Sequence, residues 1–219
     1  MQALADDPAS RGFPHGIVAF ADLAAENVEE ILAGHSVFPN MRGIRQSLIR
    51  RRASPSARLP SESPSFARNF GLLRRYGLSF DLQLFHDGAP FGAELAARHP
   101  DVPFILTHTG WPMQSDPDYL EAWRTGLCLL SERPNVAVKL SGFGFLDRRW
   151  TVESIRPLIL QTIDIFGIDR CTFASNFPVD GMAQPYRTYW DAFDAITRPF
   201  NDTERMKLFS GNAERIYRL

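Results

Sequence analysis

The sequence predicts an α/β fold in which a parallel β-sheet is covered by helices. Six short apolar runs begin at positions 16, 41, 79, 102, 136 and 171, at intervals of 23 to 38 residues. Intervals of this length, with strand and helix strictly alternating, are typical of βα units. Both a doubly wound sheet and a (β/α) barrel satisfy the pattern. No linker divides the chain, so we expect residues 1–219 to form a single domain.

Each predicted strand is an apolar run, as in GIVAF, FDLQLF and VAVKL. The predicted strands cover residues 16–20, 41–45, 79–85, 102–107, 136–140 and 171–174. The helices between them are bounded by capping residues: Gly34 stops the first, while Ser63, Pro64 and Gly77 cap, start and end the second. The predicted helices cover residues 24–33, 64–76, 91–98, 117–132, 152–166, 186–196 and 202–209.

Composition excludes several classes of function. Lys and Arg number 24 against 25 Asp and Glu, a formal net charge of −1, which argues against nucleic-acid binding through a general basic surface. No apolar stretch reaches the ~18–20 residues of a membrane span, and the first residues lack the apolar core of a signal peptide. Cys128 and Cys171 lie in apolar runs and are predicted to be buried thiols. We therefore expect a cytoplasmic protein with no nucleic-acid or membrane partner.

One segment departs from the βα pattern. Residues 53–66 contain five Ser and three Pro, and Arg50, Arg51 and Arg52 precede them. The segment could be a lid whose arginines attract an anionic substrate. A solvated, mobile loop is the interpretation that its composition favours.

Two strand ends carry polar groups on turns, which is where parallel α/β folds place their sites. In FILTHTGWP the apolar run ends at His108, and the turn that follows contains Trp111. His108 could be a metal ligand, a general base or a hydrogen-bond donor. CTFASNFPVD ends in a turn that carries Asn176 and Asp180. Asp180 could act as a base or as a turn residue, whereas an asparagine can only orient a substrate by hydrogen bonds.

Other strands contribute further candidates. Arg45 ends the second predicted strand, and its guanidinium suits bidentate binding of a carboxylate. Gln83 lies within the third strand, and Lys139 and Ser141 close the fifth. Structural roles remain open for these residues, such as an ion pair for Arg45 and a solvated ammonium for Lys139. His86 and Asp87 could belong to the site or form a polar turn.

The order of GIVAFADL, MRGIRQ, FDLQLF, FILTHTGWP, VAVKLSGFG, FASNFPVD and GNAERIYRL resembles amidohydrolase family 2. The resemblance covers the chain from about Gly16 onward. It implies a TIM-barrel-like fold and the activity of a metal-dependent hydrolase or a lactonase. Six βα units are recognisable, corresponding to the family's strands three to eight, so we expect an incomplete barrel.

The sequence also departs from the family's site pattern. The family's His-x-His strand is absent, and Asn176 stands where the last-strand motif usually has aspartate. Gln46 replaces the histidine of Gly-Ile-Arg-His, and Asp87 occupies the position expected for the fifth-strand histidine, with His86 one place early. His108 is the expected site histidine that is retained. We therefore expect no metal, or a weakly bound zinc or manganese ion with His108 as a ligand.

The resemblance implies a hydrolase that acts on a lactone, or a related ester or amide, in a small carboxylate-bearing substrate. Arg45 would bind the carboxylate, His108 would polarise the carbonyl or position water, and Asp180 or Asp87 would be the base. The other expected substrate contacts are Gln83, His86, Trp111, Lys139, Ser141 and Asn176. Two alternatives are a metal-dependent decarboxylase and a truncated protein that only binds.

Six strands cannot close a barrel designed for eight, because strand number, tilt and shear are linked. The first and last strands would then expose hydrogen-bonding edges, and such edges pair with other chains. We therefore expect an open barrel that associates as a homo-oligomer, most simply a dimer.

Overall fold

The structure is a computed structural model of the chain, described over residues 1–49, 59–113 and 116–219. Arg50 to Arg52 and residues 53–58 of the predicted lid lie outside the described residues. Six β-strands form one sheet, and each begins within two residues of its predicted start. They are β1 (Ile17–Ala19), β2 (Met41–Ser47), β3 (Ser79–Gln83), β4 (Phe104–Leu106), β5 (Val136–Leu140) and β6 (Cys171–Phe173).

The strands are parallel and lie in the order of the sequence, β1 to β6. A doubly wound sheet reverses its strand order at a switch point, so the sequential order excludes that architecture. Among the described strands, β1 and β6 each pair on one side only, so the sheet forms an open barrel. The predicted six-unit, TIM-barrel-like α/β fold is confirmed.

Helices connect the strands, and most of them cover the outer face of the sheet. They are α1 (Gln2–Ala5), α2 (Val28–Ser36), α3 (Pro64–Phe70), α4 (Leu72–Arg75), α5 (Ala89–Arg98), α6 (Pro117–Ser131), α7 (Phe143–Leu146), α8 (Val152–Phe166), α9 (Tyr186–Thr197), α10 (Asp202–Met206) and α11 (Asn212–Tyr217), with a π-helical turn at Lys207–Gly211 between the last two. No helix in the described ranges is long and apolar enough to cross a membrane.

Local signals placed most helices correctly. The structure corrects the bounds of two helices and the predicted burial of one cysteine. Gly34 lies inside α2 rather than after it, because its backbone is ordinary right-handed helix. The helix predicted over residues 64–76 is two helices that meet at Gly71, although Ser63 caps the first through the amide of Ser65 as expected. Cys128 is exposed on α6, because the apolar positions on either side of it supply the buried face. Cys171 is buried.

The main core lies between the sheet and the outer helices. Side chains that alternate along the strands point into it, among them Ile44, Phe80 and Phe104. Phe70 of α3 stacks on Phe104 at 5.5 Å between ring centroids and meets Phe80 edge-on at 5.0 Å. Aromatic pairs at these spacings add about 0.5–1.5 kcal/mol beyond burial of their area.

The opposite side of the sheet, the inner face, carries the polar residues of the strands. Its apolar part is a separate small cluster of Ile105, Ala137 and Ile216. Ile216 belongs to α11, so the last helix lies against the inner face instead of the outer one. The side chains left uncovered there include Arg45 and Lys139, which line a cavity.

Gly43 is predicted to tolerate no side chain. In β2 it pairs with Ser79 of β3, and an added Cβ would lie 2.9 Å from the carbonyl oxygen of Ser79. Gly43→Ala should therefore lower the free energy of unfolding by about 1–3 kcal/mol in urea denaturation. Gly34→Ala is the matched control, since nothing lies within 4 Å of its added Cβ. It should raise the free energy of unfolding by about 0.5–1 kcal/mol, and a destabilised Gly34→Ala would contradict the helix assignment.

Candidate active site

The inner face brings an arginine and a histidine into direct contact. Arg45 lies on β2, and Nη2 of its guanidinium is 3.1 Å from Nε2 of His108, which follows β4. Nε of Arg45 donates to Oε1 of Gln83 on β3 at 3.3 Å. Both partners are neutral groups, and within the described chain Arg45 forms no ion pair. The guanidinium is therefore an uncompensated positive charge.

This contact determines which ring nitrogen of His108 carries the proton. A guanidinium can only donate, so Nε2 accepts and the ring proton resides on Nδ1. Nδ1 lies 3.2 Å from Oγ of Ser141, which therefore accepts from it. The ring is 7% exposed, and burial, followed by the charges of Arg45 and Lys139, lowers the pKa of His108 to about 3. His108 is thus a neutral imidazole with a defined tautomer.

His108 begins a left-handed turn. His108, Thr109, Gly110 and Trp111 have φ of 55°, 55°, 67° and 62°. L-residues other than glycine adopt this conformation at a cost of about 1–2 kcal/mol each. Two hydrogen bonds close the turn, from the amide of Gly110 to the carbonyl of Thr107 and from that of Trp111 to the carbonyl of His108. Surrounding contacts must offset three such costs for the turn to persist.

Those contacts come from β5 and α6. Thr109 Oγ1 donates to the carbonyl of Ser141 and accepts from the amide of Ser141, each at 3.2 Å. Trp123 Nε1 donates to the carbonyl of Thr109 at 2.8 Å, and the hydroxyl of Tyr119 donates to the carbonyl of Trp111 at 3.0 Å. Because Ser141 also accepts from His108, one residue fixes both the turn and the ring that the turn presents.

A cavity of about 400 Å³ opens beside Arg45 on the inner face. Asp81, the neighbour of Arg45 on β3, lines it together with Lys139 of β5. Nζ of Lys139 lies 2.6 Å from Oδ2 of Asp81, and the hydroxyl of Tyr217 donates to Oδ1 of Asp81 at 2.9 Å. Burial and the charge of Asp81 hold the pKa of Tyr217 well above its ordinary value, so Tyr217 is a neutral donor.

Asn176 and Asp180 form a second polar group after β6. Nδ2 of Asn176 donates to Oδ1 of Asp180 at 2.9 Å, and the amide of Gly144 donates to Oδ2 at 3.2 Å. Asp180 is 1% exposed, and burial raises the pKa of its carboxyl against the lowering effect of these donors. Through these hydrogen bonds the carboxylate of Asp180 links the turn after β6 to α7. It faces neither the cavity nor solvent.

Not all the predicted site residues come together. His86 lies in a groove between α5 and α6, where its ring meets Tyr119 at 4.5 Å, and Asp87 beside it is exposed. Trp111 packs edge-on against His108 at 5.2 Å, and its indole nitrogen is buried without a hydrogen-bond partner in the described chain. Arg45, Gln83, His108 and Ser141 form one hydrogen-bonded group, and of the predicted residues Arg45 and Lys139 line the cavity.

Sequence reasoning missed Asp81, Tyr217, Thr109 and Trp123. Asp81 was detectable, because a carboxylate inside the apolar run FDLQLF needs a buried partner. Tyr217 was not, since only the return of α11 across the inner face brings it to β3. Thr109 and Trp123 were not detectable either, because they form hydrogen bonds with backbone groups whose positions depend on the turn.

Comparison with known proteins identifies the family. The amidohydrolase family profile matches residues 3–219. The chain belongs to the amidohydrolase family. It is 43% identical to an uncharacterised protein, y4mH, of Sinorhizobium fredii, over all of this chain and 74% of the relative. It is 26% identical to L-fucono-1,5-lactonase of Burkholderia ambifaria, over 97% of this chain and 74% of that enzyme.

A solved amidohydrolase from Burkholderia multivorans, crystallised with bound zinc, superimposes with a TM-score of 0.83. It is 27% identical, and the alignment covers 94% of this chain and 74% of that one. The shared barrel and the family membership make this chain a hydrolase-type enzyme by descent.

The side chains described in this family member do not fit such a metal. His108 is bonded at both ring nitrogens, and Asp81 and Asp180 are bonded at both carboxylate oxygens. Across residues 1–49, 59–113 and 116–219, no three His, Cys, Asp or Glu side chains are grouped as a metal site requires. Catalytic zinc needs about three protein ligands, and the described side chains do not supply such a set.

The depressed pKa of His108 predicts how stability depends on pH. Between about pH 6.5 and pH 3 an unfolded histidine binds a proton that folded His108 does not. The free energy of unfolding should therefore fall as pH falls through this window, by up to about 1.4 kcal/mol per pH unit from this residue.

Urea denaturation at pH 7, 6, 5 and 4 measures how the free energy of unfolding depends on pH, and this slope should be shallower for His108→Gln than for wild type. Arg68→Gln, which alters an exposed side chain that does not titrate in this range, is the control and should keep the wild-type slope. Identical slopes for His108→Gln and wild type would contradict the neutral, buried state.

Proposed function

We propose that the protein hydrolyses a lactone, or a related ester or amide, in a small carboxylate-bearing substrate. The observation that supports this most directly is the uncompensated guanidinium of Arg45, held against the accepting nitrogen of a neutral His108. A guanidinium without a carboxylate partner, facing a cavity, is well matched to an anionic ligand. The similarity of the chain to a lactonase supports lactone hydrolysis as the reaction.

Substrate binding would free His108 for catalysis. A substrate carboxylate that takes the guanidinium of Arg45 competes for the donor that occupies Nε2. It also neutralises the charge that, after burial, contributes most to the low pKa of His108. Nε2 would then be an unoccupied acceptor of higher basicity. The substrate itself would thus bring His108 toward the pKa that a general base needs.

The hydrolytic step follows from the tautomer. Water adds to the carbonyl carbon while its proton passes to Nε2 of His108, and the ring C–O bond then breaks. The same proton passes to the departing oxygen, which gives the free hydroxy acid. Ser141 accepts from Nδ1 throughout and stabilises the imidazolium that forms. Asp180 is engaged by Asn176 and Asp87 is exposed, so we assign the base to His108 in place of either carboxylate.

We propose that any divalent metal is held weakly or is absent. A decarboxylase of this fold would need a metal, and the donor set described above does not favour that alternative. Hydrolytic activity should therefore survive dialysis against a chelator. Loss of activity that zinc or manganese restores would favour the metal-dependent alternatives.

We propose a reducing, cytoplasmic environment for this protein. Cys128 and Cys171 are both free thiols, and Cys128 is exposed to solvent. Exposed free cysteines are typical of compartments that keep thiols reduced.

We also propose that the chain self-associates. The outer edges of β1 and β6 pair with no other strand of the described chain, and Phe13 and Phe20 are exposed beside β1. Unpaired edges promote association. Light scattering coupled to size-exclusion chromatography should give about twice the 24.7 kDa chain mass. A cooperatively folding particle of one chain mass at tens of micromolar would exclude this.

Arg45 provides the test of the proposed function. Hydrolysis of sugar lactones, and of lactones bearing a carboxylate, can be followed by acid release with a pH indicator. Arg45→Gln should raise KM for a carboxylate-bearing lactone by about 10- to 100-fold, because one charge-assisted interaction is lost. Its KM for a neutral lactone should change less.

Arg68→Gln is the matched control, since Arg68 is exposed on α3 away from the cavity. It should behave as wild type. The proposal fails if wild type hydrolyses no lactone above the spontaneous rate, or if Arg45→Gln leaves the preference for the anionic lactone unchanged.

A further inference from the structure

The cavity beside Arg45 contains three charged side chains. Arg45, Asp81 and Lys139 line it, and the uncharged hydroxyl of Tyr217 lies among them. The ring of His15 also lines the cavity. Apolar side chains, including Phe13 and Val18, form part of the remaining wall. A volume of about 400 Å³ suits a ligand of small-metabolite size.

Two of the three charges neutralise each other. Nζ of Lys139 lies 2.6 Å from Asp81, whose carboxylate is 2% exposed and whose other oxygen accepts from Tyr217. If Lys139 turned to a ligand, the buried carboxylate of Asp81 would lose its counter-ion. Breaking a buried ion pair in this way is strongly unfavourable. Lys139 is therefore committed to Asp81, and the Asp, Lys and Arg side chains that the described part of the chain brings to the cavity sum to +1.

We propose that this ion pair limits the site to ligands that carry one carboxylate, with Asp81 as the specificity-determining residue. The inference rests on the proposed function, since it assigns the charge of the same substrate. Arg45 binds the single carboxylate. Among residues 1–49, 59–113 and 116–219, the cavity lining offers no further unpaired Lys or Arg to a second carboxylate, and the negative charge of Asp81 repels that group.

A matched pair of probes isolates the second charge. Glutarate and its monomethyl ester have the same carbon chain between their carbonyl groups and differ in whether one carboxylate is masked. Binding of each to wild type is measured by isothermal titration calorimetry at pH 8, without turnover. We expect monomethyl glutarate to bind at least 10-fold more tightly than glutarate. Equal affinity, tighter binding of glutarate, or no binding of either at millimolar concentration overturns the proposal.

Asp81→Asn makes the test directional. The substitution keeps the size of the side chain and releases Lys139, which raises the net charge of the cavity to +2. The affinity ratio of monoester to diacid should fall at least 10-fold, toward a preference for glutarate. An unchanged ratio in a folded Asp81→Asn protein overturns the proposal.

Two further variants separate charge from packing. The double variant Asp81→Asn/Lys139→Gln removes the pair as a unit and keeps a net charge of +1, so it should retain the wild-type preference. Tyr217→Phe keeps both charges and should also retain the preference, while the double variant keeps the proposal testable should Asp81→Asn not fold. A double variant that prefers glutarate overturns the proposal.

The calorimetric result is independent of hydrolysis. If the protein hydrolyses lactones but shows no preference for the monocarboxylate, the proposed function is supported and this inference is contradicted. The preference without hydrolysis leaves a binding site of this charge class and removes the proposed function.

Discussion

The site depends on one unneutralised charge. The guanidinium of Arg45 lies on the inner face of the sheet, and its hydrogen-bond partners within the described residues are neutral acceptors. Its proximity, after burial itself, keeps His108 uncharged, and its donor geometry fixes the tautomer of that ring. The charge of Lys139 also lowers the pKa of His108, but Lys139 is paired with Asp81 and Arg45 is not. The site is therefore prepared electrostatically for an anion before one arrives, as preorganised active sites generally are.

The last helix connects the stability of the fold to this electrostatic arrangement. α11 crosses the inner face, where Ile216 packs on Ile105 and Ala137. The next residue, Tyr217, donates to Asp81 and so completes the environment of the buried ion pair. A helix that looks like a terminal appendage thus occupies the inside of the barrel. Displacement of α11 would expose apolar surface and leave one carboxylate oxygen without its donor.

Local sequence signals predicted the fold well and the site only partly. Strand starts, the Ser63 cap and the extent of α8 follow from periodicity and capping, which act over a few residues. Arg45 and His108 were identifiable because polar groups at strand ends are informative. The pairing of Asp81 with Tyr217 was not, since 136 residues separate them and only tertiary folding brings them together. The low pKa of His108 likewise depends on burial and on neighbours from other strands.

The left-handed turn at residues 108–111 limits which sequences can occupy this corner of the barrel. Glycine at position 109 or 111 would relieve the backbone cost. Yet glycine at 109 would lose the hydroxyl that joins Ser141, and glycine at 111 would lose the indole beside His108. At position 109 the side chain that glycine would remove also supplies contacts that offset the backbone cost. Because Ser141 bonds both to Thr109 and to the ring of His108, a substitution at 109 would alter the backbone of the turn and the orientation of that ring together.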